Sequence, residues 1–163
     1  MLMNDIAILR EHVSYDPDTG LFRWLKRAQG RRFAPFRGSL DSRGYLGLLV
    51  CGQAFAAHRL AWALHHGVWP SGVIDHINGD PTDNRIVNLR DVTQQVNAQN
   101  QRRARGGRSA LLGVSIEQGG KKITARIKHP TGKKLYLGSF PTPEAAHAAY
   151  LAAKRKLHAG CTL

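Results

Sequence analysis

Cysteine is scarce in this chain: Cys51 and Cys161 are the only two, far apart and outside any C-x-x-C spacing. That excludes a disulfide framework and a thiolate zinc site, so both thiols are expected to be reduced and no structural zinc is expected. Long apolar runs are also missing. None approaches the roughly 20 residues that a membrane span requires, and no segment pairs a basic face with a continuous apolar one. Acidic residues are few, 11 against 24 Lys and Arg, for a net charge of +13 over 163 residues. Such a field attracts polyanions, which makes nucleic acid the expected partner and a membrane surface an unexpected one. The opening MLMNDIAILREHV carries Asp5, Arg10 and Glu11 and has neither a basic start nor a small-residue cleavage site. It does not read as a secretory leader, and a cytoplasmic protein is expected.

The length suits two small modules. Leu2, Ile6, Leu9 and Val13 recur at helical spacing, predicting a short amphipathic helix over 2–12. Asp16, Pro17, Asp18 and Gly20 supply turn chemistry before a strand at 21–25, predicting a hairpin. Residues 28–42, rich in Arg and Gly, read as a loop. Strands are expected at 44–50 and 54–57, then a helix from His58 whose Leu60, Ala61 and Leu64 share a face and which Gly67 stops. A strand at 73–76, a loop, a strand at 88–92 and a polar helix over 93–101 follow, with Thr93 as N-cap. QRRARGGRS, at 101–109, breaks all periodicity and marks a basic linker. Beyond it, strands at 114–116, 122–128 and 134–137 precede a helix opened by Thr142-Pro143-Glu144, whose stripe is Ala146, Ala149, Tyr150, Ala153 and Leu157.

The segment VIDHINGDPTDNRIVNLRDVTQQVNAQNQ concentrates the chemistry. Phosphodiester hydrolysis needs an activated water, a cation to absorb charge at phosphorus and on the leaving oxygen, and a rigid frame. Asp75, His76 and Asn97 can supply these. Adjacent strand residues point to opposite faces, so Asp75 and His76 can address different sides of one phosphate, while Asn97 sits on the following helix. Carboxylate plus amide oxygen is a hard ligand set, suited to Mg²⁺ or Mn²⁺ rather than zinc. His58, His65 and His66 are expected to lie outside the chemistry: His65 and His66 are helix neighbours that cannot share a face, and His58 stands where a polar helix start belongs.

The order DH, then N-x-x-x-NL before a strand, then Asn in a helix, resembles the HNH nucleases of the ββα-metal fold over about residues 40–101. HRLAW upstream is similar to their phage and intron-encoded homing branch. The resemblance implies that His76 is the general base, that Asp75 and Asn97 hold one divalent cation against the scissile phosphate, and that Asn88 braces the loop without touching substrate. It implies double-stranded DNA as substrate, with 5′-phosphate and 3′-hydroxyl ends. Asn97 stands where many relatives carry His.

After the linker, the 122–128 strand alternates, placing Lys122, Thr124, Arg126 and Lys128 on one face and Ile123, Ala125 and Ile127 on the other. Lys134 and Tyr136 are expected outward on the next strand, with Leu135 and Leu137 inward. A basic sheet face interrupted by a hydroxyl and an aromatic suits a DNA groove. Gly113-Val114, Arg126-Ile127-Lys128, Tyr136-Leu137-Gly138-Ser139-Phe140 and Glu144-Ala145-Ala146 make residues 111–160 similar to the Apetala or ethylene-response-factor DNA-binding domain. That resemblance implies DNA contacts from Ser115, Lys122, Thr124, Arg126, Lys128, Lys134 and Tyr136. Gly119-Gly120 and Tyr136 stand where that family usually has tryptophan, so its base preference does not carry over. Arg102, Arg103, Arg105 and Arg108 are expected to follow the phosphate backbone.

The sequence therefore predicts an α+β protein: a ββα-metal nuclease module with its N-terminal helix and hairpin (1–101), a basic linker (102–110), and a three-stranded antiparallel sheet packed on one helix (111–160). The expected function is metal-dependent DNA cleavage by a monomer rather than an obligate oligomer, in a bacterial host cytosol if phage-encoded. A non-catalytic DNA-binding regulator is the rival, and an RNA-binding protein the third reading.

Overall fold

The structure is a computed structural model, described over residues 5–26, 34–100, 111–117, 122–158 and 160–162. The chain divides into two compact units, Met1–Thr93 and Gln94–Leu163. The fold is α+β, with small antiparallel sheets and short helices. No helix among the described residues is long and apolar enough to cross a membrane.

In the first unit, α1 (Ile6–His12) begins at Asp5, whose carboxylate accepts from Ala7 N, and runs directly into β1 (Val13–Tyr15). Leu2, expected in this helix, lies outside the described residues. β1 pairs with β2 (Phe22–Trp24) around a turn in which Asp16 Oδ1 and Oδ2 accept from Asp18 N and Thr19 Oγ1. This is the predicted hairpin. β3 (Ser39–Leu40) falls within the segment read as loop. It pairs with β4 (Leu46–Val50) for two residues, too few to leave an alternation pattern. β4 and β5 (Gln53–Ala56) are joined by Cys51 and Gly52, both with positive φ (51° and 81°), the conformation that a tight two-residue hairpin demands.

α2 (Ala57–His66) ends at Gly67, which takes φ 75° and donates its N–H to Ala63 O, as the glycine stop signal predicts. Arg10 reaches across to donate to Leu64 O at 2.7 Å, closing another free carbonyl of this helix end. Leu60, Ala61 and Leu64 join Leu9, Val13, Phe22, Leu48, Val50, Phe55, Ile74 and Leu89 in one buried cluster. That cluster is the platform for β6 (Val73–His76) and β7 (Leu89–Val92), paired antiparallel with Asp75 opposite Arg90 and His76 opposite Leu89. A 3₁₀ turn, Ile86–Asn88, leads into β7.

The second unit begins with α3 (Gln94–Gln99). The sequence predicts this helix within the first module, residues 1–101. Its contacts explain the later grouping: Gln95 Nε2 donates to Pro130 O, Gln99 Oε1 accepts from Gly160 N, and Asn100 Oδ1 accepts from Thr162 Oγ1. β8 (Val114–Ile116), β9 (Ile123–Lys128) and β10 (Lys134–Phe140) form a sheet with β9 central. α4 (Pro143–Leu157) lies against all three strands, capped by Thr142 Oγ1 accepting from Ala145 N. Ala125, Ile127 and Ala146 are buried between them. β10 runs three residues beyond its predicted end because a bulge between Tyr136 and Gly138 absorbs Leu137 and resets the register.

Candidate active site

β6 ends in three consecutive buried residues, Ile74, Asp75 and His76. Ile74 belongs to the core, which fixes the strand, and alternation then turns Asp75 and His76 to different surroundings. Asp75 faces its cross-strand neighbour: Arg90 donates to Asp75 Oδ2 through Nε at 2.8 Å and Nη2 at 2.6 Å. The guanidinium is three-quarters buried with it, so this ion pair is shielded from solvent and holds the carboxylate oriented.

His76 is 5% exposed, and its Nε2 lies 3.0 Å from Asn84 Oδ1. An amide oxygen only accepts, so Nε2 carries the ring proton and Nδ1 keeps the lone pair. The ring also meets His58 edge-on, with centroids 5.4 Å apart, and Tyr45 at 6.2 Å. Tyr45 is partly exposed, and Arg43 stands over its ring at 5.9 Å.

The chain between β6 and β7, residues 77–85, is held by its own polar side chains. Asn88 Oδ1 accepts from Asn78 N at 2.9 Å, and Asn88 Nδ2 donates to Asp83 O at 2.8 Å, so one amide spans the loop. Asn78 Nδ2 donates to Asp83 Oδ2, and Asp80 Oδ1 accepts from both N and Oγ1 of Thr82. Arg85 forks onto both oxygens of Asp83 and lowers that carboxyl to about 2. These bonds, with Asp83 held as the carboxylate, fix the internal shape of the loop.

Of two further residues at this site, Asn84 carries no signal in the sequence, and His58 is expected from the sequence to lie outside the chemistry. Asn84 sits in a polar turn where a buried amide looks like any other loop residue. It is 2% exposed, and its Nδ2 has no partner. His58 was expected to lie apart as a polar helix start. It stands instead beside His76, its Nδ1 is buried without a partner, and its pKa falls to about 4, first through burial and then through the neighbouring His76 and arginines. No local period links positions 58 and 76; the packing of α2 against the β6–β7 platform brings them together. His65 and His66 are exposed on α2, with rings edge to face at 4.7 Å.

Asn97 is half-buried on α3 of the second unit. Among the described residues no three His, Cys, Asp or Glu side chains converge on a common cation position. On the second unit's sheet, Lys122, Arg126, Lys128, Lys134, Tyr136 and Ser115 are exposed. Lys128 stands directly opposite Lys134, and Arg126 opposite Tyr136. Thr124, expected on this outer row, is 3% exposed: it occupies the central strand, flanked in register by Ser115 and Ser139, and its neighbours cover it. Leu135, expected inward, is 37% exposed: it lies in the exposed first part of β10, before the bulge, and the strand becomes better covered only from Leu137 on. Arg102, Arg103, Arg105 and Arg108 lie outside the described residues.

Comparison with known proteins adds two similarities. Residues 55–99 match the family model described as HNH endonuclease. A solved structure of the HNH homing endonuclease I-HmuI, described for DNA binding and cleavage, is similar at 23% identity, covering 96% of this chain and 93% of that one, with a TM-score of 0.45. No curated protein matches. The matched segment contains β6, the braced loop, β7 and α3, with Asp75, His76, Asn84, Asn88 and Asn97. Residues 55–99 are thus similar to the HNH endonucleases over the segment that holds β6, β7 and α3.

Proposed function

We propose that this protein is a metal-dependent endonuclease in which His76 is the general base, Asp75 and Asn97 hold the cation, and the second unit grips the DNA. The observation that carries the reading is His76 itself: a buried imidazole fixed through Nε2 by Asn84, within the HNH segment and next to a buried carboxylate. With Nε2 as the donor, Nδ1 is the basic nitrogen of the ring, the atom that would accept a proton from water.

HNH nucleases generally use a divalent metal ion. The donors here fit a hard cation that keeps several waters and takes other ligands from substrate phosphate, because one or two carboxylates suffice for such an ion. Asp75, with one oxygen steadied by Arg90, would be the carboxylate, and Asn97 the amide ligand. The bound ion, Mg²⁺ or Mn²⁺, would neutralise charge on the phosphate and the departing 3′ oxygen. His76 then directs water in line opposite that oxygen, giving 5′-phosphate and 3′-hydroxyl ends. Asn88 keeps the loop from shifting and leaves the phosphate alone.

The sheet of the second unit supports DNA docking on electrostatic grounds. Among the described residues, Lys122, Arg126, Lys128 and Lys134 have no ion-pair partner, and two like charges directly across a sheet cost stability, so Lys128 opposite Lys134 favours a polyanion that neutralises both. Arg126 beside Tyr136 offers a fork and an aromatic ring to a groove. The Apetala-like reading of 111–160 rests on this face and on the strand and helix order. The test is incubation of supercoiled plasmid with Mg²⁺ or Mn²⁺: nicking or linearisation that EDTA stops supports the proposal, and intact plasmid under every divalent metal overturns it. End-labelling of the products checks the 5′-phosphate.

A further inference from the structure

The N-terminal hairpin lies outside the matched HNH segment, yet it contacts Asn84, whose side chain bonds His76. Tyr15 Oη donates to Asn84 O at 2.7 Å, 69 residues along the chain. Ile86 N donates to Pro17 O at 3.0 Å. Gly20, in the left-handed region at φ 71°, lies so close to the loop that a Cβ there would stand 2.8 Å from both Asn84 C and Arg85 N. The backbone from Asn84 to Ile86 is thus clamped from outside the loop, at the Asn84 carbonyl and the Ile86 N–H, with the hairpin turn pressed against the peptide between Asn84 and Arg85.

The hairpin can bear this load because its strands are rooted in the core. Val13 and Phe22 are fully buried, and the Tyr15 ring rests on Phe22 with centroids 5.3 Å apart. The Tyr15 hydroxyl is raised well above its usual pKa by burial and by the nearby Asp16 and Asp83, so it remains a donor throughout the working range. By contrast, the bonds that Asn78, Asp80, Asp83 and Asn88 make are internal to the 77–88 segment and fix its shape without fixing where Asn84 stands.

We propose that the hairpin formed by β1 and β2 is a positioning element for the base: Tyr15, Pro17 and Gly20 set the 84–86 backbone, and Asn84 passes that position to His76 as a fixed Nε2–H tautomer. Tyr15 and Gly20 are positioning residues that never touch substrate. The inference rests on His76 being the base, as proposed above, and it extends the functional unit beyond residues 55–99 to the hairpin at 13–24.

The test uses the full chain, supercoiled plasmid with Mg²⁺, and ¹⁵N NMR of the histidine rings in metal-free protein, where the two tautomers have distinct signatures. Tyr15→Phe keeps the ring and removes the donor. The expected result is a kcat lower by about tenfold or more, since sub-ångström misplacement of a reacting group is costly, with KM for plasmid unchanged and the His76 signal moving from Nε2–H toward a mixture. Gly20→Ala reaches Asn84 through the backbone instead and is expected to shift the same signal, so either variant suffices if the other does not fold. Wild-type kcat with an unshifted tautomer in Y15F overturns the proposal, as does a loss confined to KM. His76→Ala serves as the separate control: if it cleaves normally, the base assignment fails, while the tautomer signal still decides whether the hairpin positions the ring.

Discussion

The loop joining β6 to β7 and the outer face of β9 and β10 are both polar, but their side chains are used in opposite ways. In the loop most polar groups are spent inward: Asn78, Asp80, Asp83 and Asn88 bond to one another and to the backbone, Arg85 closes on Asp83, and beside the loop Arg90 is paired with Asp75. On the sheet face, Lys122, Arg126, Lys128 and Lys134 point outward, and two of them repel across the register. The loop pairs most of its polar groups, leaving Asn84 Nδ2 as an exception, which suits the proposed task of holding an imidazole in place, whereas the uncompensated cations of the sheet suit the proposed task of accepting a polyanion.

The largest expected effect separates the two regions cleanly. Asp75→Asn removes the carboxylate ligand and is expected to lower cleavage by about 10³-fold or more, while DNA affinity measured without metal stays within about twofold of wild type because the sheet is untouched. Equal loss of both would show that the loop also carries the binding energy. Next, Arg126→Ala with Lys128→Ala is expected to weaken DNA binding by roughly tenfold or more at physiological salt and to reduce the slope of affinity against salt by about two. Turnover at saturating DNA is expected to be unchanged. Smaller again, Asn88→Ala strands Asn78 N and Asp83 O and is expected to lower stability by about 1–3 kcal/mol, read as a fall in the thermal midpoint. No such fall is expected from Lys134→Ala, which removes a like-charge contact.

The smallest effect is pH-dependent. His58 is held near pKa 4 in the fold against about 6.5 when unfolded. Between these values the unfolded chain takes up a proton that the native protein does not, so the stability contributed by neutral His58 is fully present above 6.5 and is lost as pH falls toward 4. His58→Asn is expected to flatten the thermal midpoint across that window, and an unaltered acid limb would contradict the burial of this ring as described.

The elements were largely legible because they carry local signals. Leu60, Ala61 and Leu64 with Gly67 predict α2, and Thr142-Pro143 predicts the start of α4. Strand β6 matches its predicted limits because its apolar start and polar end stand between turn residues. What escaped depends on tertiary packing. His58 reaches His76 only through the docking of a helix, Asn84 is buried by a hairpin far upstream, and Thr124 is covered by serines that register alone places beside it. The alternation that predicts an outward Thr124 describes direction, not exposure, and a short side chain on a central strand is hidden by its neighbours. The grouping of α3 with the second unit was likewise invisible, since its partners are Pro130, Gly160 and Thr162.

The central claim is that His76 activates the attacking water. The most direct measurement compares wild type and His76→Ala in single-turnover cleavage of plasmid with Mg²⁺ or Mn²⁺, alongside binding of the same DNA. The expected cleavage rate is lower by about 10²–10⁴-fold with DNA affinity preserved, the range for removal of a general base. Wild-type cleavage by the variant would contradict it, as would parallel loss of cleavage and binding.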